Sequence, residues 1–377
     1  MRIASGEWNG ECKIVEMNHV GRIRKLRRAL QKHQIEALWI THLPDVRYLS
    51  GFSGSSAVLV VTQHKAALFT DGRYTLQAQQ EVKGATVVIA EKSTVKEAAA
   101  WVSEQAESAG FDPAHTTIAD LEAYREAIPR RGRQRYFQPV TEPLVMNMRL
   151  IKDGDELLLM SHAAAVGCKL FDMIVPHIRA GRTEFEVTAD LEFFARNLGV
   201  DGMSFDTIVA SGVRSSMPHG KASEAKVPRK GFVTLDFGVI LKGYCSDMTR
   251  TVHVGRASRE EQDVYDAVLA AQQAAVAAIR PGVTCAEVDE AARSVLRQAD
   301  LAQYFTHSTG HGVGIEIHEP PRLGAGQETK LRPGMVVTVE PGVYMPGKFG
   351  IRIEDMVAVT ATGGEVLTPA TKAWMQL

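Results

Sequence analysis

Apolar positions change period along this chain, and the changes mark its elements. From about His19 to Gln34, Val20, Ile23, Leu26 and Leu30 recur at helical spacing between lysines and arginines, which predicts a helix with a basic outer face. ALWIT (37–41) predicts a strand. AVLVVT (57–62) and AALFT (66–70) predict two more, joined by a short turn, and DGRYT marks the next turn. TVVIA (86–90) predicts a further strand, Val95 to Ala109 a helix, and another strand follows. Alternating strands and helices imply a small α/β domain, spanning 17–143 and ending near Pro143.

The second half, 150–377, repeats a pattern. A long helix is expected from Asp153 to about Arg179, broken by Gly181. Thr183 and Glu186 then form T-x-x-E, a capping box that satisfies the free amides of a new helix. IRAGRTEFEV (178–187) returns 101 residues later as IRPGVTCAEV (279–288), with Thr284 and Glu287 in the same places. RKGFVTLDFG (229–238) resembles LRPGMVVTVEPG (331–342), and GYCSDMT (243–249) resembles FGIRIEDM (349–356). G-x-T-x-x-E alone is a common helix start, but two correspondences in the same order predict a duplicated α-β unit. Asp236 then matches Glu340, and Asp247 matches Glu354.

These four acids sit within apolar strands, where an unpaired charge is costly. In VTLDFG, Val233, Leu235 and Phe237 share one face, and Thr234, Asp236 and Gly238 the other. A turn centred on Lys242 and Gly243 places Gly238 opposite Asp247, with Asp236 its diagonal neighbour at roughly 7–8 Å between backbones. A three-residue loop at Pro346–Lys348 sets Glu340 opposite Glu354, whereas a two-residue loop would put them on opposite faces. Arg352 shares the face of Glu354 as a partner for a ligand carboxylate. A lone acid is usually a solvated surface residue, but four converging acids repel unless cations separate them. With His311 in GHGVG, whose glycines permit close approach, they make five candidate ligands for divalent metal.

Composition narrows the partners. The chain has 377 residues, enough for two domains, and is 45% hydrophobic and 23% charged. Lys plus Arg is 43 against 44 for Asp plus Glu, a net charge of −1, which carries no footprint for nucleic acid or an anionic membrane. Cys12, Cys168, Cys245 and Cys285 form no C-x-x-C pair, consistent with a reducing, cytoplasmic setting. No apolar run of membrane-spanning length is expected. Residues 1–16 are polar and patternless, without the apolar core of a signal peptide, and are expected to be a frayed tail; Met17 is an alternative start. The glycines of HLPDVRYLSGFSGSS are not a phosphate loop, because no G-K-[ST] follows. Cys245 reads as a small strand residue, since no base is implied beside it.

His219 (MPHG), His307 (HSTGH) and His318 (IHEPP) lie in Gly- or Pro-punctuated loops near the ligand hairpins. A lone histidine is more often structural, but three so placed point to function. With GHGVG, HEPP, EPGVY, GIRIEDM, LDFG, SDMTRT and MPHG, the chain resembles the pita-bread metallopeptidases, above all Xaa-Pro aminopeptidases and prolidases. YLSGFSGSSAVLVV and FTDGRY resemble their creatinase-type N-terminal domain, so the likeness spans nearly the whole chain.

That resemblance implies an α/β (α+β) architecture: a creatinase-like domain, then a pita-bread domain of pseudo-twofold duplicated units. It implies that Asp236 and Asp247 bind one metal. Asp247 and Glu354 would bridge to the second, completed by His311 and Glu340. Hard oxygen ligands with one imidazole suit Mn(II), with Co(II), Zn(II) or Mg(II) as alternatives. Two ions ~3.5–4 Å apart would activate a bridging hydroxide to attack the carbonyl before proline. Glu340 would then shuttle the proton to the leaving nitrogen. His318 and His219 would hold substrate and stabilise the tetrahedral intermediate, with His307 and Arg352 in support. Asp71-Gly72-Arg73 is either a turn or, as in relatives, a segment reaching toward a neighbouring subunit's cleft. The expected function is Xaa-Pro aminopeptidase, acting on peptides with proline second, as a homodimer. The alternatives are an Xaa-Pro dipeptidase and, from another class, a non-catalytic binding protein on the same fold. Intact ligands weigh against the last.

Overall fold

The computed structural model describes residues 17–129 and 133–377; the expected tail, 1–16, lies outside the described residues. The described chain divides into two compact units, with the break between Arg149 and Leu150.

The N-terminal unit is a six-stranded sheet flanked by helices. Its strands are β1 (Ala37–Ile40), β2 (Val58–Thr62), β3 (Ala66–Asp71), β4 (Thr86–Ala90), β5 (Ala109–Phe111) and β6 (Phe137–Pro139), in the order β4-β3-β2-β1-β5-β6. The pairings of β2 with β1 and with β3 are antiparallel, and the others parallel. Helix α1 (His19–Lys32) buries Ile23, Leu26 and Leu30 as its period requires. It stops short of Gln34, whose φ of 55° is left-handed. Four short helices went unread: α2 (Leu43–Ser50), α3 (Thr75–Glu81), α5 (Ile118–Ala127) and α6 (Leu144–Arg149). LPDVRYLS is helical because Pro44 starts it and Gly51, at φ 85°, ends it. Helix α4 covers Thr94–Gln105, so the expected helix to Ala109 is too long: Ala109 already opens β5. Helix α6 carries this unit six residues past Pro143, and Arg149 is anchored there by a buried ion pair with Asp45, 2.8 Å apart.

The C-terminal unit contains the two halves. Helices α7 (Gly154–Ile174) and α8 (Glu184–Asn197) serve the first half, α9 (Arg259–Ala278) and α10 (Cys285–Gln298) the second. The capping boxes on Thr183 and Thr284 are both formed. Gly181 and Gly282 precede them with φ of 91° and 88°, a backbone that suits glycine. The expected helix to Arg179 ends early, at Ile174, and passes into a 3-10 turn around Pro176, which has no N–H to continue it. The expectation of no long apolar run is also corrected. Gly154–His177 contains an 18-residue window with the mean hydropathy, 1.5, of a spanning helix, but half of that window is buried, with Leu159, Met160, Ala163 and Leu170 in the core of this unit.

Strands β7 (Gly202–Met203), β8 (Ile208–Ser211), β9 (Gly231–Phe237), β10 (Val239–Leu241), β11 (Tyr244–Cys245) and β12 (Met248–Val254) make two three-stranded sheets, β12-β9-β8 and β11-β10-β7. The second half has β13 (Gly310–Gly312), β14 (Glu319–Leu323), β15 (Val336–Val339), β16 (Gly342–Met345), β17 (Phe349–Arg352), β18 (Asp355–Val359) and β19 (Gly364–Val366). Its sheets run β14-β13-β15-β18-β19 and β16-β17. Each half has its own core. Val233, Leu235 and Phe237 pack against α7 and α8, while Val337, Val339 and Ile351 pack against α9 and α10.

Candidate active site

Register brings the acids together. Ile240 pairs with Cys245 and Phe237 with Met248, so the turn is centred on Lys242–Gly243, and Gly238 falls opposite Asp247 in the same register. A Cβ on Gly238 would lie 1.8 Å from the Ser246 carbonyl oxygen, so only glycine allows this approach. In the second hairpin Met345 pairs with Phe349 across Pro346–Lys348, and Val339 pairs with Asp355. The odd-length loop thus holds, with Glu340 opposite Glu354.

Asp236, Asp247, His311, Glu340 and Glu354 line one cleft of about 940 Å3 in the C-terminal unit, together with His219, His307, His318 and Arg352. Ligand atoms of Asp247, His311 and Glu354 lie within 4.8 Å of one another. His311 Nε2 is 3.6 Å from Asp247 Oδ2 and 3.5 Å from Glu340 Oε1. Its Nδ1 is 2.9 Å from the Gly312 carbonyl, which accepts the ring proton and leaves Nε2 free to ligate. The His318 ring stands edge-on to it, centroids 4.5 Å apart.

Arg352 organises the acids from behind. Its Nη2 donates to Asp236 Oδ2 at 2.5 Å, Nε to Thr249 Oγ1, and Nη1 to Tyr344 Oη and the Pro218 carbonyl. Thr249 Oγ1 in turn donates to Glu354 Oε2 at 2.7 Å, and Thr338 Oγ1 to Glu340 Oε1 at 3.2 Å. His307 Nε2 lies 3.0 Å from Tyr344 Oη. Thr249, Thr338 and Tyr344 were missed in the sequence. Thr249 and Thr338 stand two residues from Asp247 and Glu340, so strand alternation alone could have found them. A buried pair, Lys152 Nζ with Glu319 Oε2 at 3.0 Å, also went unread, and Glu319 is packed against Gly314 in the loop that carries His318.

The electrostatics are those of a site built around cations. Burial, then Glu354, Asp236 and Glu340, pushes the Asp247 carboxyl well above its usual range. Burial and the neighbouring acids do the same to Glu354, and Glu340 is raised to about 7, mainly by burial. Burial lowers His307 and His311 to about 4, so both rings are neutral near pH 7, as a ligand imidazole must be. Asp236 Oδ1 is buried, and among the described residues no donor reaches it. A buried carboxylate oxygen without a donor is costly. A divalent cation satisfies it and removes the repulsion among the acids, so the donor set of four carboxylates and one imidazole fits hard or borderline divalent metal.

The creatinase/prolidase N-terminal domain family matches residues 22–151, and metallopeptidase family M24 matches 159–361. A solved Xaa-Pro dipeptidase from Bacillus anthracis is 41% identical and superposes with a TM-score of 0.91, covering 96% of this chain and 100% of that one. An X-Pro aminopeptidase from Thermotoga maritima is 34% identical with a TM-score of 0.86, over 93% and 100%. An Xaa-Pro dipeptidase of Pyrococcus horikoshii is 33% identical over 92% of this chain and 96% of its own length. The match to both domains along the chain, with four acids and an imidazole converging in one cleft, makes this protein a member of metallopeptidase family M24.

Proposed function

We propose that the chain is an Xaa-Pro dipeptidase, a prolidase, and that Asp236, Asp247, His311, Glu340 and Glu354 hold two divalent ions, Mn(II) foremost. The observation that carries the chemistry is the convergence of these five side chains in one cleft, with a buried Asp236 oxygen that no donor among the described residues reaches. Whole-length likeness to Xaa-Pro dipeptidases of Bacillus anthracis and Pyrococcus horikoshii favours the dipeptide substrate over the longer peptides expected at first. Aminopeptidase activity is the second reading, favoured by the Thermotoga maritima relative.

When bound, the ions supply Lewis acidity to the scissile carbonyl and acidify water toward neutrality. The chain's residues do the rest. Water adds to the carbonyl carbon before proline, and Glu340 accepts its proton. The C–N bond then breaks, and Glu340 returns that proton to the proline nitrogen, releasing an amino acid and proline. His219 and His318 line the cleft and offer ring N–H groups to substrate oxygens as charge develops there. Arg352 and Thr249 fix Asp236 and Glu354, and Thr338 fixes Glu340. The bond before proline has no amide N–H on its leaving side, so the site has no need to recognise one.

Turnover of a Xaa-Pro dipeptide against a Xaa-Pro-Yaa tripeptide, with Mn(II), tests this. Dipeptide preference supports the prolidase reading, and faster tripeptide cleavage replaces it with the aminopeptidase. Glu340→Gln should lower kcat by about 10²–10⁴-fold; full turnover removes Glu340 as the base.

A further inference from the structure

A second cluster of metal-type side chains lies wholly within the N-terminal unit. His42, at the start of α2, Asp45 in its first turn and His115 in the loop after β5 bring ligand atoms within 4.8 Å of one another. With Asp112 and Glu142 they line a pocket of about 20 Å3, room for a single water or ion. Asp45 is nearly buried, its side chain 4% exposed, and His42 is 16% exposed. His115 sits at the rim, 29% exposed.

The contacts suit a bound cation. Arg149 holds Asp45 Oδ1 at 2.8 Å and so turns Oδ2 toward His42, whose Nδ1 is 3.2 Å away. That separation is close to the ~3.3 Å edge between two ligands of a tetrahedral zinc with bonds near 2.0–2.1 Å. His115 Nδ1 lies 3.1 Å from Asp112 Oδ2, a contact that holds the ring at the rim of the pocket. The two rings are stacked, centroids 3.7 Å apart and 15° from parallel. Lone pairs in two parallel ring planes cannot meet one ion, so binding requires the His115 ring to leave Asp112 and turn about χ2, a soft torsion. Two imidazoles and one carboxylate are a borderline set, unlike the oxygen-rich cleft of the C-terminal unit, and select Zn(II)-type ions over Mg(II) or Ca(II).

We propose that His42, Asp45 and His115 form an additional metal site in the N-terminal unit, taking one borderline divalent cation, Zn(II) or its stand-in Co(II), with solvent completing the shell. The test uses the full chain with Asp247→Asn and Glu354→Gln to disable the cleft. It is stripped with chelator, loaded with Zn(II), desalted and counted by elemental analysis. About one zinc per chain should remain, and adding His115→Ala should remove it. No zinc in the first variant, or an undiminished count in the second, overturns the proposal. If the cleft variant fails to fold, the same comparison runs on the natural cleft. There His115→Ala should bind one ion fewer than the unaltered chain while hydrolysing dipeptide at an unchanged rate, and equal ion counts overturn the site.

Discussion

Arg352 is only 4% exposed, yet its guanidinium reaches Asp236, Thr249, Tyr344 and the Pro218 carbonyl. Burial opposes its charge, but Tyr344, Asp236, Glu340 and Glu354 hold its pKa well above the usual value. Arg352→Ala leaves Asp236 buried without its cation, so metal-free protein should lose ~3–5 kcal/mol in urea unfolding. Divalent metal should shrink that loss by giving Asp236 another partner. Arg352→Lys should recover little, because an ammonium cannot span the same fork of acceptors. A metal-free Arg352→Ala as stable as the natural chain would show that Arg352 does not hold the acids. Tyr344→Phe should cost ~1 kcal/mol by the same measurement, since it deletes one hydroxyl shared by His307 and Arg352. At this scale the ligands were legible because charged residues stand out among valines and leucines. Tyr344 was not, because nothing near EPGVY announces a hydroxyl that meets His307, 37 residues away in the chain.

The hairpins turn isolated acids into a site. Side chains alternate with a period of two, so loop parity decides whether Glu340 and Glu354 face each other. Deleting Gly347 from the Pro346–Lys348 loop makes the parity even. The variant should lose most of its bound Mn(II) after dialysis while keeping its helical circular dichroism. Full metal content would mean that the strands slip without moving the acids. The duplication gives a second test. Gly181 and Gly282 hold φ of 91° and 88°, and a Cβ on either meets nothing within 4 Å. Alanine at each should therefore cost a similar ~1–2 kcal/mol of backbone strain; a large difference would break the equivalence of the halves. Register was legible because both turns carry strong signals, Lys242–Gly243 and Pro346–Gly347–Lys348. The short helices of the N-terminal unit were not, since six to ten residues hold too few turns for a helical period to stand out.

Over the whole molecule, the two-unit plan was legible from the change between alternating strands and a repeated pattern, but the placement of α6 was not: it depends on Arg149 finding Asp45, 104 residues earlier. The acids of the cleft carry the last consequence, because their protons couple metal binding to stability. Asp247, Glu340 and Glu354 all have folded pKa values above their ordinary ones, Glu340 at about 7. A group raised in this way stabilises the metal-free fold below its unfolded pKa, and that stability is lost as pH rises through the folded value. His307 and His311, lowered to about 4, act oppositely: they add stability as pH rises from about 4 to 6.5 and change nothing above. Above about pH 6.5 the two histidines no longer contribute, and the slope that remains near neutrality comes from the acids. There the chelated protein should lose roughly 1 kcal/mol per pH unit for each proton the fold retains, a fall in Tm of about 2–4 °C per kcal/mol. Cations need the ionised carboxylates, so the Mn(II)-loaded protein should hold or raise its Tm between pH 6.5 and 8. Calorimetry of the two forms reads both slopes. If the chelated protein grew more stable with rising pH in that window, the four acids would not be crowded in solution as they are in this cleft, and the case for cations at their centre would fall with them.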